Sequence, residues 1–117
     1  MKENVFENKS MDFAVRIVKL YHYLCEEKKE FDIARQLLRS GTSIGANIRE
    51  SRNAQSKADF IAKRFISLKE ADETAYWLEL IQKSGIIAAE QVSELHAECE
   101  ELIKMLTSSI KTLRNKK

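Results

Sequence analysis

The chain has 117 residues and a formal net charge of +2, with 44% hydrophobic residues, 32% charged residues and no proline. This composition excludes a disordered chain, and no apolar run approaches the roughly 20 residues that cross a membrane. The first residues lack the apolar stretch of a signal peptide. We therefore expect one domain, located in the cytoplasm and without membrane contact.

Charge is unevenly distributed along the chain. Residues 31–64 carry seven Lys and Arg against three Asp and Glu, residues 65–100 carry two against eight, and residues 101–117 carry five against one. A basic block next to an acidic block fits a nucleic-acid surface. It fits equally the complementary surfaces of a self-assembling protein. The sequence leaves both interpretations open.

Apolar residues at helical spacing predict four helices, over about residues 10–28, 31–53, 56–84 and 89–113. The third helix begins at the sequence SKAD, which resembles a capping box, and it ends before Gly85, a typical C-terminal cap. The fourth repeats its apolar residues at alternating spacings of three and four, as in coiled coils. No segment alternates with period two, so we expect no strand.

The predicted fold class is all-α. Because the connections are short, consecutive helices should be antiparallel neighbours in an up-down-up-down four-helix bundle. A single domain then covers residues 1–117, with a frayed N-terminus over about residues 1–9 and a basic tail over about residues 114–117.

The second predicted helix carries a polar stripe beside its apolar seam. Gly41 lies in the seam, where it favours close approach of another helix despite its cost in helix stability. The stripe comprises Ser40, Ser43, Asn47 and Glu50. Arg64 interrupts the apolar stripe of the third helix at about the level of Asn47, so we predict a buried polar seam in which Arg64 reaches Ser43, Asn47 and Glu50. The alternative is that Arg64 lies along apolar surface and extends to water.

Three arginines of the second helix, Arg35, Arg39 and Arg49, lie within about 40° of one line on the face opposite the seam. This arginine ridge is a solvated helix face, a subunit contact or a phosphate-binding surface. The candidate nucleic-acid contacts are Arg35, Arg39, Arg49, Arg52, Lys57, Lys63 and the basic tail.

The reverse face of the third helix carries Ile66, Trp77 and Leu80. A helix that is apolar on both faces usually has a second partner over its outer face. Together with Glu73 from the acidic block, these residues form the predicted oligomer interface. If the acidic block contacts the arginine ridge of a second copy, the contact is heterologous and closes as a ring.

The sequence carries no catalytic or metal-binding pattern. His22 and His96 lack the Glu-x-x-His spacing of metal sites in bundles, and Ser43 has no histidine near it to act as a base. The stretch SGTSIG lacks the lysine and the preceding strand of a phosphate-binding loop. Cys25 and Cys99 lie far apart on apolar faces, which favours buried free thiols. We expect no enzyme, no cofactor and no metal.

The stretch RSGTSIGANIRESRNAQSKADFIAKRFISLKEADETAYWLEL resembles the bacterial family of four-helix-bundle proteins encoded in intervening sequences of 23S ribosomal RNA genes. Its most specific part runs from Ser43 to Phe60. The accessory variability protein of diversity-generating retroelements is a related member. The resemblance implies a bundle that often forms pentameric rings and carries a basic surface toward nucleic acid. Two positions depart from the family pattern: Ser51 stands where glycine is common, and Arg64 where related sequences have an apolar residue.

Two functions follow. The first is a non-enzymatic homo-oligomer that associates with RNA or DNA through its basic surface. The alternative is a ring-shaped scaffold that docks another protein, with its arginines used at subunit interfaces and no direct nucleic-acid binding. The first interpretation is weakened by the small net charge and by the absence of aromatic residues among the arginines, since single strands stack on such residues.

Overall fold

The computed structural model describes the backbone of residues 2–116 and the side chains of residues 5–116. This part of the chain forms four helices and no strand, which confirms the all-α prediction. The helices are α1, Lys2–Glu26; α2, Asp32–Glu50; α3, Lys57–Ser84; and α4, Ala89–Asn115; a short 3-10 turn, Ser51–Asn53, links α2 to α3. None of the described helices is long and apolar enough to cross a membrane.

Contacts between neighbouring helices pair residues in opposite chain order. Between α2 and α3, Ser40 contacts Thr74, whereas Ile44, one turn later on α2, contacts Ser67, two turns earlier on α3. The other close neighbours follow the same order, with contacts at Glu7–Arg52, Ile17–Gly41, Ala71–Cys99 and Arg64–Ser109. Helices α1 and α4 approach less closely and are joined by surface ion pairs. The chain is therefore the expected antiparallel four-helix bundle.

Helix α1 begins at Lys2, eight residues before the predicted start at Ser10. Phe6 gives the reason, because its side chain is only 8% exposed and its ring lies over the guanidinium group of Arg64, with 4.4 Å between the ring centroid and Cζ. Ser10 is buried and does not cap the helix. The first and last residues of the chain, which belong to the predicted frayed end and basic tail, lie outside the described residues.

Helices α1 and α2 meet most closely at Gly41. A Cβ atom at this position would lie 2.8 Å from Cγ2 and 2.9 Å from Cγ1 of Ile17, which is completely buried. Such distances are too short for a methyl group in a packed core. The structure thus confirms that Gly41 permits close helix approach. Gly45 is less tight, with Ser10 Oγ 3.1 Å from its hypothetical Cβ.

Both ends of α3 follow the predicted capping. The backbone amide of Asp59 donates to Ser56 Oγ over 3.0 Å, and the Asp59 carboxylate accepts from the backbone amide of Gln55 over 3.1 Å. The hydrogen bond from the Gln55 backbone amide and then the one from the Lys63 side chain lower the pKa of the Asp59 carboxyl group. At the other end, Gly85 adopts the left-handed conformation, with φ of 76°.

Candidate nucleic-acid and subunit interfaces

Arg64 is buried in the bundle and does not extend to water. Its Nε donates to Ser51 Oγ over 3.4 Å and its Nη1 to Ser109 Oγ over 3.1 Å. Phe6 and Phe60 stack on the guanidinium group, with ring centroids 4.4 and 4.7 Å from Cζ. Four elements thus meet at this one side chain: α1, the 3-10 turn, α3 and α4. The predicted burial of Arg64 is confirmed.

The predicted partners of Arg64 require correction. Ser43 donates to the carbonyl of Arg39 over 2.7 Å, and Asn47 donates to the carbonyl of Ser43 over 2.8 Å, so both bond within their own helix. Glu50 is exposed. Polar side chains at these positions find acceptors one turn back on α2 and need no partner from α3. The helix register places Arg64 one turn further along, level with the 3-10 turn.

Arg39 links α2 to the acidic face of α3. Its guanidinium group lies 3.2 Å from Glu70 Oε1 and 2.5 Å from Glu73 Oε2, and Glu73 also accepts a hydrogen bond of 3.0 Å from Trp77 Nε1. The hydrogen bonds from Arg39 and then from Trp77 lower the pKa of Glu73. The hydrogen bond to Glu73 raises the pKa of Arg39 in return. The acidic block therefore contacts an arginine of its own chain.

The other predicted nucleic-acid contacts fall into two groups. Those with a carboxylate partner are Arg35 with Asp32 at 2.8 Å, Arg52 with Glu7 at 3.0 Å and Lys63 with Asp59 at 3.3 Å. Arg49 and Lys57 are exposed and form no ion pair within residues 5–116. Instead, Lys57 donates to the backbone carbonyl of Lys116 at the end of α4. Their charges are therefore available to an anion without breaking an ion pair.

The tertiary structure collects basic residues at one end of the bundle. Residues 2–9, 49–64 and 107–116 meet where α2 passes into α3, and together they carry ten Lys and Arg against four Asp and Glu. We define these segments as the basic end. At the opposite end, residues 20–35 and 79–95 carry four against seven. Arg49 and Arg52 belong to the basic end, whereas Arg35 lies about 21 Å from Arg49 along α2.

A shallow groove between α3 and α4 opens at the basic end. Phe65 is 38% exposed, and Arg114 lies over its ring with 5.2 Å between Cζ and the centroid. Lys111 lines the same groove, whose volume is about 300 Å³. Neither cation forms an ion pair in the described part of the chain. The sequence named Arg114 only as part of the basic tail and gave no sign of Phe65, because the two residues lie 49 positions apart and only the antiparallel order of α3 and α4 joins them.

The predicted oligomer interface lies on the outer face of α3. Ile66 is 43% exposed, while Trp77 and Leu80 are half-buried and Glu73 is held by Arg39. Tyr76, which the prediction omitted, is 57% exposed. Apolar side chains of this outer face are therefore partly open to solvent, and the subunit contact over them stays a prediction.

Helix α1 presents a second apolar outer face, which sequence reasoning did not detect. Met11, Val15 and Val18 recur at spacings of four and three and are 48%, 46% and 37% exposed. They lie on one side of the helix, well away from the buried Phe13 and Ile17. The spacing was visible in the sequence, but a short apolar repeat beside a longer one is hard to distinguish from the edge of a core stripe.

The two cysteines and the potential metal ligands form no reactive or metal-binding cluster in the described part of the chain. Cys99 is buried and its thiol lies 3.3 Å from the carbonyl of Ala71, and burial raises the pKa of this thiol to about 12. Cys25 is half-buried. Within the described residues, no three His, Cys, Asp or Glu side chains are grouped so that they could hold a metal ion.

Comparison with known proteins gives two findings. The profile of the family described as 23S rRNA-intervening sequence protein matches residues 2–108. The chain is also similar to the crystal structure of a protein of unknown function from the S23 ribosomal protein family of Bacteroides thetaiotaomicron. The two are 56% identical with a TM-score of 0.92, over 95% of this chain and 99% of that one. No curated protein matches the chain.

Proposed function

The chain belongs to the 23S rRNA-intervening sequence protein family, and we propose that it is a non-enzymatic, homo-oligomeric protein that associates with RNA or DNA through its basic end. The observation that carries this proposal is the excess of basic residues at that end, nine Lys and Arg against four Asp and Glu once the buried Arg64 is left out. Phosphate groups would replace counterions there, so binding should be largely independent of sequence and strongly dependent on salt. The family description, which refers to ribosomal RNA genes, supports a nucleic-acid setting.

Whether each cation has a carboxylate partner decides how much it can contribute to the predicted nucleic-acid contact. Arg49 and Lys57, together with Lys111 and Arg114, offer charges that no carboxylate of residues 5–116 already neutralises. Arg35 and Arg39 lie farther from the basic end and are ion-paired. Neutralised guanidinium groups gain less from a phosphate, because the existing pair has to be broken or shared. We therefore assign the main contacts to the basic end and a lesser part to the arginine ridge.

The test is a titration of labelled RNA and DNA oligonucleotides at 50 and 200 mM salt, followed by fluorescence anisotropy. Arg49→Glu combined with Lys57→Glu should weaken binding at least about tenfold at low salt, since repulsion replaces two phosphate contacts. Arg35→Glu, compared with Arg49→Glu alone, is the matched control: the same charge reversal on the same helix, outside the basic end. Absence of salt-sensitive binding by the parent protein would refute the proposal. Equal loss in the control would place the contacts on the arginine ridge.

A second candidate function is the ring-shaped scaffold, and two apolar faces support it. Helices α1 and α3 occupy opposite corners of the bundle, because each packs against α2 and α4. The outer face of α1 carries Met11, Val15 and Val18, and that of α3 carries Ile66 and Tyr76. Different apolar faces on opposite sides of one chain suit a heterologous contact, which forms a ring when its rotation closes. The pentamer implied by the family resemblance is one such ring.

Light scattering on size-exclusion fractions tests the assembly. The parent should have a mass that is a multiple of 13.5 kDa, and Val15→Asp and Ile66→Asp should each reduce it. Mixing the two variants should restore a dimer, because each keeps one intact face; an isologous contact would not be restored. Val5→Asp, at an exposed position on another side of α1, is the control. A monomeric parent would rule out homo-oligomerisation.

A further inference from the structure

We propose that the groove between α3 and α4 binds an unpaired base of single-stranded nucleic acid, which stacks on Phe65 while its phosphates contact Lys111 and Arg114. This inference rests on the proposed nucleic-acid association and names the form of nucleic acid that it favours. Phe65 and Arg114 form a stacked pair with 5.2 Å between the ring centroid and Cζ. Aromatic rings beside cations are the arrangement with which proteins hold single strands.

The lining of the groove suits a base. Leu68 and the buried Ile110 give the lining apolar surface, and Phe65 adds an aromatic ring with more than a third of its surface open to solvent. Thr107 and Asn115 supply a hydroxyl and an amide, which donate to and accept from the edge of a base. A base offers an apolar face and polar edges, so it matches both parts of this lining.

The charges of the groove favour a phosphate chain over an acidic peptide or a second copy of this protein. Lys111 and Arg114 are exposed and form no ion pair among the described residues. Lys69, one turn after Phe65, is also exposed and forms no ion pair among these residues. Lys111 and Arg114 line the groove together with the ring, and Lys69 lies one helical turn from Phe65. Successive phosphates along a strand can reach these cations in turn while a base stacks on the ring, and a chain of carboxylates makes no use of the ring.

The size of the groove selects unpaired bases. Its volume of about 300 Å³ lies at the lower limit of small-molecule sites. One base with part of its sugar fills such a space. In a duplex the faces of the bases are covered by their neighbours, so a paired base has to leave the stack before it can lie on Phe65. The groove should therefore discriminate single strands from duplexes.

The test compares three labelled oligonucleotides of 12 nucleotides by anisotropy at low salt: a uridine strand, a duplex and an abasic strand. The parent should bind the uridine strand about tenfold more tightly than the abasic one, the order expected for one stacked base. Phe65→Ala should remove this difference and leave duplex binding within about twofold. Phe65→Trp, which provides a larger ring, should retain the preference. A deoxyuridine strand, which differs from the uridine strand only in the sugar, shows whether the 2′-hydroxyl contributes.

Phe31→Ala is the matched control, because it removes an exposed phenylalanine ring at the opposite end of the bundle. It should leave the preference for the uridine strand unchanged, and circular dichroism should show that each variant is folded. If Phe65→Ala keeps the preference, the groove is not the site, although the salt-dependent effect of Arg49 and Lys57 would still support the proposed function. If the parent binds none of the oligonucleotides, both proposals fail together.

Discussion

The two sides of α3 use arginine in opposite ways. On the side that faces α2, Arg39 is fixed by Glu70 and Glu73, and Glu73 in turn accepts from Trp77. On the side that faces α4, Arg114 lies on the ring of Phe65 and no carboxylate neutralises it in the described chain. The first arrangement ties two helices of one chain together. The second leaves a charge and an aromatic surface to a ligand.

The difference arises from where the acidic residues of α3 point. Glu70 and Glu73 lie in the fourth and fifth turns of the helix and face α2, so they bind the cation that α2 presents at that level. The first turns of α3, near Phe65, have only Asp59, whose carboxylate caps the helix and bonds Lys63. Cations on α4 at this level consequently find an aromatic ring and no carboxylate.

The largest effect is expected from Arg64, the buried cation on the α4 side. Arg64→Ala should lower the free energy of unfolding by about 3–5 kcal/mol, because it leaves a cavity between Phe6 and Phe60 and removes the donor to Ser109. Urea denaturation followed by circular dichroism measures it. Arg64→Met refills the cavity and should lose less than half as much, since apolar replacements of buried ions are often tolerated. Equal midpoints for Arg64→Ala and the parent would contradict a structural role for this side chain.

A smaller effect is expected on the α2 side. Glu73→Gln should lower the free energy of unfolding at pH 7 by less than about 1 kcal/mol, because the carboxylate and Arg39 are partly exposed to solvent. The folded protein lowers the pKa of Glu73 from its ordinary value of 4.5. The stabilisation is therefore present above pH 4.5 and is lost as pH falls through the lower folded-state pKa.

Urea denaturation at pH 7, 5 and 3 tests this dependence. The parent and Glu73→Gln should differ at pH 7, and this difference should shrink as the pH falls from 5 to 3. Glu79→Gln is the control, because Glu79 pairs only with Lys83 on its own helix. A difference between parent and Glu73→Gln that persists at pH 3 would show that the glutamine disturbs packing around Trp77 and would refute the assigned charge effect.

The smallest effect on stability is expected in the groove. Lys111→Gln combined with Arg114→Gln should change the free energy of unfolding by no more than about 0.5 kcal/mol, because both side chains are exposed. The same variant should reduce the slope of log affinity against log salt by about one to two, one phosphate contact for each lost charge. A marked loss of stability with an unchanged slope would mean that these cations support the fold.

Much of the fold could be predicted because its signals are local. Helical spacing of apolar residues predicted the four helices, and the SKAD sequence and Gly85 predicted the ends of α3. Gly41 predicted a close approach between two helices. The early start of α1 had no such signal, since Phe6 is buried only because it lies over Arg64. The outer apolar face of α3 was visible in its sequence, and the partner that covers it stays a prediction.

The candidate site was only partly predictable. The sequence determined which residues are charged and on which side of each helix they lie. It therefore predicted Arg49 and Lys57 as nucleic-acid contacts together with Arg35 and Arg39. The tertiary structure decided which of them have a carboxylate partner, placed Ser109 beside Arg64, and brought Phe65 to Arg114. Spacing along one helix follows from its 3.6-residue turn, whereas the level at which two helices meet depends on how their side chains pack. The free cations of the basic end are a consequence of that packing.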